Sequence, residues 1–298
     1  MRRRYVMLAG VLAIAALMAG QAFGLSVWQG NTTAQDTGGW VPSWYFNGDV
    51  VINGDSVGKP GENLMTQNNQ FPMKSFLFDR TPGHDMYLDH WGSEFWGVNG
   101  AGPFIVKGGA TLTCRGPLTS TTPFDIRDNS TFVMSPYYSA FEVVGVIGNG
   151  TLTLNGGYAI SVRTISPTNA ANPALAAKLT IGGTACKLNT ASPYPFTIDV
   201  LNTGGVAGTD YDWVAFTTAI DTLAKHDLKI DVAPSLGGGA LLGQTLTIVT
   251  GPNTASVAHF GSVTFSGGWS GTVNYTASGV TLTNVKGPLP KGTVVVVR

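Results

Sequence analysis

Charge is scarce in this chain. Only 11% of the 298 residues are Asp, Glu, Lys or Arg, against about 25% in an average soluble protein, and 17 basic residues balance 17 acidic ones. A chain of zero net charge has no field with which to gather nucleic acid or anionic lipid, so neither is expected as a partner. Cysteine is almost missing: Cys114 and Cys186 are the only two. One disulfide between them is a candidate, and two buried free thiols are the other reading. Past residue 24 no apolar run is long enough to cross a bilayer, so no stable membrane span is expected in the mature chain. Motifs that would announce chemistry are also missing. There is no Gly-x-Ser-x-Gly elbow and no His-Glu-x-x-His. Gly237-Gly238-Gly239 lacks the Lys-Ser/Thr of a phosphate-binding loop.

The first 24 residues read as a secretory signal peptide. Met1-Arg2-Arg3-Arg4 is basic, an uncharged apolar run extends from Tyr5 to about Ala19, and Ala22 and Gly24 are small residues suited to cleavage before Leu25. Cleavage after Ala22 is the near alternative, and a retained anchor is the other. No Cys follows the apolar run for lipid attachment. The mature protein is therefore expected outside the cell, secreted or at the cell surface.

What the chain does contain is glycine, 40 residues of it, with abundant Thr, Asn and Ser. Many tight turns between Thr/Val/Leu-rich strands account for that. A hydrophobic content of 43% and 30 aromatics argue against disorder, since such a chain can bury a core. Three textures follow the leader. Residues 25–99 are aromatic-rich, with five of the seven Trp and turn pairs such as Asn47-Gly48 and Asn53-Gly54. Residues 100–203 carry a loose repeat of short alternating strands: Thr111-Leu112-Thr113, Thr151-Leu152-Thr153-Leu154 and Leu179-Thr180-Ile181. Residues 204–298 return to strand-and-turn texture, with one short helix conceivable near 216–225. The repeat spacing is uneven, 40 residues from Leu112 to Leu152 and 27 from Leu152 to Leu179. Irregular strand-turn repeats of this kind predict an all-β chain. The expected form is a right-handed parallel β-helix or β-solenoid, with a β-sandwich as the alternative.

The opening Val27-Trp28-Gln29-Gly30-Asn31 and the unit Gly148-Asn149-Gly150-Thr151-Leu152-Thr153-Leu154-Asn155-Gly156 bring a family into view. They resemble secreted bacterial proteins with autotransporter-associated β-strand repeats, of the autotransporter-passenger and PEP-CTERM kind. Tyr211-Asp212, Asp227–Val232 and Gln244–Val249 look like the strands near the end of such proteins. The resemblance implies a β-solenoid displayed by a bacterium, in a family mostly without assigned activity. Two of its usual features are not expected here. About 90 residues after Gly204 are too few for a translocator barrel, and Lys291-Gly292-Thr293 runs into four valines where a sorting tail would lie.

One cluster gathers chemistry-bearing residues: His84-Asp85-Met86-Tyr87-Leu88-Asp89-His90-Trp91-Gly92-Ser93-Glu94-Phe95-Trp96. On a strand, His84 and His90 would share a face about 20 Å apart, too far to hold one metal ion. No metal, cofactor or catalytic residue is therefore assigned. Aromatic faces beside a carboxylate suit a sugar ring, so Tyr87, Asp89, Trp91 and Trp96 are candidate carbohydrate contacts. A polar edge capping the core is the plainer reading. The paired acids Asp210/Asp212 and Asp227/Asp231 suit glycoside hydrolysis, but polar outer strand faces commonly carry such pairs. The expectation is a non-enzymatic structural, adhesive or matrix protein. The alternative is a polysaccharide-binding or polysaccharide-degrading β-helix. Extracellular polysaccharide or further copies of the chain are the expected partners. Val294–Val297 would offer an edge for self-association.

Overall fold

The structure is a computed structural model. It describes residues 75–87, 102–115, 121–135, 143–156 and 159–288 in full, and the backbone of strands at 25–28, 40–41, 49–53, 62–67, 71–73, 88–91, 96–98, 118–120 and 141–142. The leader and Val294–Val297 lie outside the described residues.

The chain alternates between two long sheets. Among the described residues the first holds 11 strands, including Ser75–Asp79, Phe104–Lys107, Phe124–Ile126, Phe141–Gly148, Ile160–Pro167, Tyr194–Val200, His226–Val232 and Ser262–Phe265. The second also holds 11, including Met86–Trp91, Thr111–Cys114, Thr131–Met134, Thr151–Leu154, Lys178–Gly182, Trp213–Phe216 and Thr245–Thr250. A third sheet of 3 short strands joins Phe71–Met73, Trp96–Val98 and Leu118–Ser120. Pairing is parallel from rung to rung, as in Thr111–Cys114 on Thr131–Met134 and Tyr194–Val200 on His226–Val232. The pairs made by Gly279–Lys286 with Thr245–Thr250 and Ser270–Thr276 are antiparallel. Stacked parallel sheets entered in alternation make a β-solenoid; a sandwich would be built from antiparallel neighbours. Both long sheets run without a break past residues 99 and 203, where the sequence changes texture.

Alternation decides which side chains go inside. Thr111–Cys114, Thr131–Met134 and Thr151–Leu154 share one burial pattern, each burying its second and fourth residue. Because pairing is in register, buried residues form columns: Leu112 stacks on Phe132, and Phe132 on Leu152. The 40-residue interval in the sequence is thus two rungs of 20. The middle rung, Thr131-Phe132-Val133-Met134, escapes a search for Thr-Leu-Thr because Phe replaces Leu and Val replaces Thr. Leu152 next meets Ile181, not Leu179, across a rung of 29 residues. The segment after Asp212 is also a strand: Trp213–Phe216 buries Val214 and Phe216, and no helix forms near 216–225.

The upper core is aromatic. Phe104 stacks on Phe76 with ring centroids 4.6 Å apart, and meets Phe124 edge-on at 4.8 Å and Phe132 at 5.2 Å. Corners between the first and second sheets need a left-handed backbone. Gly148 (φ 108°) supplies it in one rung and Asp128 and Asn129 (φ 54° and 57°) in the rung above. At Gly148 a second constraint applies. A Cβ there would collide with the carbonyl oxygen of Ile126, the same oxygen that accepts the amides of Asn149 at 2.8 Å and Gly150 at 2.9 Å.

Phe104→Ala should cost about 3–5 kcal/mol, since it empties a site enclosed by three other rings. Denaturant unfolding monitored by far-UV circular dichroism measures it, and a loss under 1 kcal/mol would contradict the ring cluster.

Candidate functional site

The sequence cluster 84–96 is dispersed by the fold. His84 sits in the turn before Met86–Trp91, its Nδ1 3.1 Å from Thr81 Oγ1. Asp85 Oδ1 accepts the Thr111 amide at 2.7 Å, tying one rung to the next. Met86 is fully buried, and Tyr87 is half-buried on the outer face of the second sheet. Trp96 belongs to the third sheet, in register with Phe71 and Leu118. The side chains of Asp89, Trp91 and Trp96 lie outside the described residues. Among the described residues no group of three His, Cys, Asp or Glu is placed to hold a metal ion.

The described carboxylates are mostly engaged in holding the backbone. Asp221 Oδ1 accepts the Leu188 amide at 2.7 Å, and Asp210 Oδ2 accepts that of Val206 at 2.8 Å. Asp227 Oδ1 accepts Ser262 Oγ at 2.6 Å, and Asp231 pairs with Lys229 at 2.6 Å. Asp125 and Arg127 form a close ion pair, with Nε–Oδ2 at 2.9 Å. Thus Asp210/Asp212 and Asp227/Asp231, neighbours in sequence, serve separate local tasks.

Three buried polar residues brace the lower half. Asp212 is 2% exposed. One carboxylate oxygen accepts the Ala177 amide at 2.8 Å and the other that of Asp199 at 3.0 Å, so it joins the second sheet's approach to a strand of the first. Burial pushes its carboxyl up to about 7, against the opposing pull of those two amides. Tyr211, beside it, accepts the Thr247 amide on its hydroxyl at 3.2 Å, and burial raises its pKa. His226 is fully enclosed. Its Nε2–H donates to the carbonyls of Arg163 at 2.6 Å and Val162 at 3.1 Å, and burial holds its pKa below the ordinary value. Nδ1 faces the interior without a partner, as a neutral ring allows. Sequence reading passed over His226 because the residue carries no motif. Its only signal is the strict alternation of His226-Asp227-Leu228-Lys229-Ile230, which puts it on the inward face.

Both cysteines are buried, and no disulfide joins them. Cys114 lies in register with Met134, Met134 with Leu154, and the Ala185 amide donates to the Leu154 carbonyl in the rung that carries Cys186. Three rungs at about 4.8 Å each separate them by about 14 Å, double the Cα reach of a disulfide. The candidate bond is therefore not made. Burial pushes the Cys186 thiol up to about 12.

The outer face of the second sheet carries a regular array. Thr111, Thr131, Thr151 and Thr180 stand in register on four successive rungs, with Thr113, Val133 and Thr153 as a second column beside them. All seven are half-buried, as on a flat β surface. The columns repeat about every 4.8 Å and stand about 6.6 Å apart. A cation lies over an aromatic ring at each end: Arg115 over Tyr87 at 4.1 Å, and Lys178 over Trp213 at 4.5 Å. Trp213 Nε1 is fixed by Thr250 Oγ1 at 3.0 Å.

Comparison with family models, with curated proteins and with solved structures gives no match.

Two outcomes follow from the buried groups. Asp212 binds its proton more tightly folded (about 7) than unfolded (about 3.8), so its contribution to stability is full below about pH 4 and is lost as pH rises through 7. The stability advantage of the native chain over Asp212→Asn should therefore shrink between pH 4 and pH 7; denaturant melts at each pH measure it, and an advantage that grows would refute the assignment. Second, neither thiol should react with a disulfide reagent at pH 8 in the folded chain, and both should react on unfolding.

Proposed function

We propose that the chain is a non-enzymatic extracellular β-solenoid, of bacterial origin, that adheres to a polysaccharide surface through the outer face of its second sheet. One observation carries this: the in-register array of threonines on four rungs, bounded by Tyr87 and Trp213. Hydroxyls on a fixed lattice offer donors and acceptors whose spacing does not relax, so little order has to be imposed when a regular polymer docks. Methyl groups between them are apolar, which suits sugar rings that are themselves polar at the edge and apolar on the face. Trp and Tyr stack on sugar rings for the same reason. Placement outside the cell is supported by the leader and by the likeness of Gly148–Gly156 to autotransporter-associated repeats. Both also agree with a matrix or adhesive role. The alternative, a polysaccharide-degrading enzyme, needs two carboxylates converging on one groove. The described acids bind amides, hydroxyls and cations scattered over both sheets.

The test uses insoluble cellulose, chitin and a soluble glycan array with the mature chain. Retention on at least one of these is expected, weakened by about tenfold or more in Thr151→Lys/Thr153→Lys, with Ser166→Lys on the first sheet binding as the native chain does. Failure of the native chain to bind any probe, or equal binding by both variants, sinks the proposal. Release of new reducing ends from a bound polymer would instead favour the degrading enzyme.

A further inference from the structure

The corner leading from the first sheet into the second changes character along the solenoid. Between Phe141–Gly148 and Thr151–Leu154 it is tight, made by Asn149 and Gly150 alone. On the next three rungs it opens into loops: residues 168–177, 201–212 and 233–244. Each loop carries one large aliphatic side chain facing outward. Leu175 is 48% exposed, Val206 54% and Leu242 59%. Among the described residues the other exposed large apolar side chain, Val263, lies on a strand of the first sheet.

These three residues lie on loops that touch. The Ala176 amide, next to Leu175, donates to Thr209 O at 3.4 Å, and the Thr209 amide donates to Val206 O at 3.2 Å. On the other side, Gln244 Nε2 donates to Thr203 O at 3.0 Å, and its Oε1 faces Gly205. The loops are pinned to the core: Ala176 and Leu241 are buried beside the exposed Leu175 and Leu242. A row of aliphatic tips is thus held on a firm base. Singly scattered apolar residues need no explanation, but three gathered on one corner do.

Charge and hydrogen bonding identify what this corner meets. Residues 168–177, 201–209 and 233–244 contain no charged side chain. Asp210 and Asp212, just beyond the second stretch, are buried and turned onto backbone amides. The amides at the tips are also spent within their own loops. Leu175 donates to Asn172 O at 2.9 Å, Val206 to Asp210 Oδ2 at 2.8 Å, and Leu242 to Gly239 O at 3.1 Å. Tips of that kind can leave water without stranding a backbone donor, which is the condition hydrocarbon imposes. A second copy is a poorer match. Three half-exposed side chains present on the order of 200 Å² of apolar surface, well short of the roughly 800 Å² each partner buries in a stable dimer.

We propose that this corner is a lipid-contacting surface, with Leu175, Val206 and Leu242 dipping into the interface of an uncharged bilayer without spanning it. Such binding scales with the apolar area inserted and draws nothing from headgroup charge. It gives the chain a second attachment, on a different surface from the threonine array, and does not depend on what that array binds.

The test sediments the mature chain with phosphatidylcholine vesicles. Binding is expected, and it should be unchanged between about 0.05 M and 0.5 M salt. The triple variant Leu175→Ser/Val206→Ser/Leu242→Ser should bind about tenfold more weakly or less. All three sites are exposed, so its far-UV circular dichroism should match that of the native chain. Thr151→Lys/Thr153→Lys, which alters the threonine array, should bind vesicles as the native chain does. Leu242→Cys carrying a polarity-sensitive fluorophore should shift to the blue on vesicles and be quenched by shallow bilayer quenchers. Absence of binding by the native chain, equal binding by the triple variant, or binding abolished by salt would each overturn the proposal. So would a dimer in solution that the triple variant loses, which would give the corner to a second copy.

Discussion

In-register parallel stacking is the constraint on which the rest of this molecule depends. Each rung satisfies its backbone amides and carbonyls on the rungs above and below, so residue identity matters column by column. Leu112, Phe132, Leu152 and Ile181 occupy one column and must fill nearly the same volume. Where a large ring enters a column, its neighbours answer it: Phe76, Phe104, Phe124 and Phe132 form one contiguous cluster across both sheets. The corners are subject to the same rule. A rung can approach its neighbour closely enough for Asn149 and Gly150 to share the Ile126 carbonyl only because Gly148 has no side chain to intervene.

Stacking also explains which parts of the fold were legible from residues alone. Alternation within Thr151-Leu152-Thr153-Leu154 is local and strong, so the strand and its inward face are readable directly. Rung length is not local. It depends on which residue ends up above which, and Phe132 sits where a Leu would have revealed a period of 20. The lower rungs are longer still, with Ile181 in register with Phe216 across an excursion that holds Asp210, Tyr211 and Asp212. No periodic signal survives a loop of that length. The buried Asp212 and His226 were illegible for another reason: their roles are contacts with backbone far away in sequence, the Ala177 amide and the Val162 and Arg163 carbonyls. The same remoteness undid the disulfide. Cys114 and Cys186 share a similar Thr- and Ala-rich context, but context does not fix how many rungs lie between two columns. The candidate sugar contacts were partly separable: Tyr87 falls on the threonine face, whereas Trp96 joins a different sheet.

The two long sheets, built by one rule, present different surfaces. On the first, ion pairs recur: Lys107 with Asp79, Arg127 with Asp125 and Lys229 with Asp231. On the second, the middle rungs show hydroxyls and methyls, and the described cations there lie over aromatic rings. A face of uncharged, laterally fixed groups adapts poorly to an irregular partner and well to a periodic one. That difference between the sheets, more than any single residue, is why the adhesive role we propose is assigned to the second.

The scarcity of charge noted at the outset then acquires a structural cause. In a solenoid an ionised side chain meets the same position one rung away at about 4.8 Å, where like charges repel by roughly 1 kcal/mol in water and by more at a protein surface. Asp199 and Asp231 are such a pair, in register on adjacent strands. Burial and the neighbouring Asp231 charge raise the pKa of Asp199, and Lys229, diagonal to it, works the other way. Lys229 also pairs directly with Asp231, so one cation serves two stacked acids. Every added charge in such a column demands a placed counter-charge, whereas threonine stacks on threonine without one. A chain that repeats its rungs in register is thereby driven toward neutral, β-branched outer faces. Low charge, abundant threonine and a neutral outer face are three consequences of the same geometry.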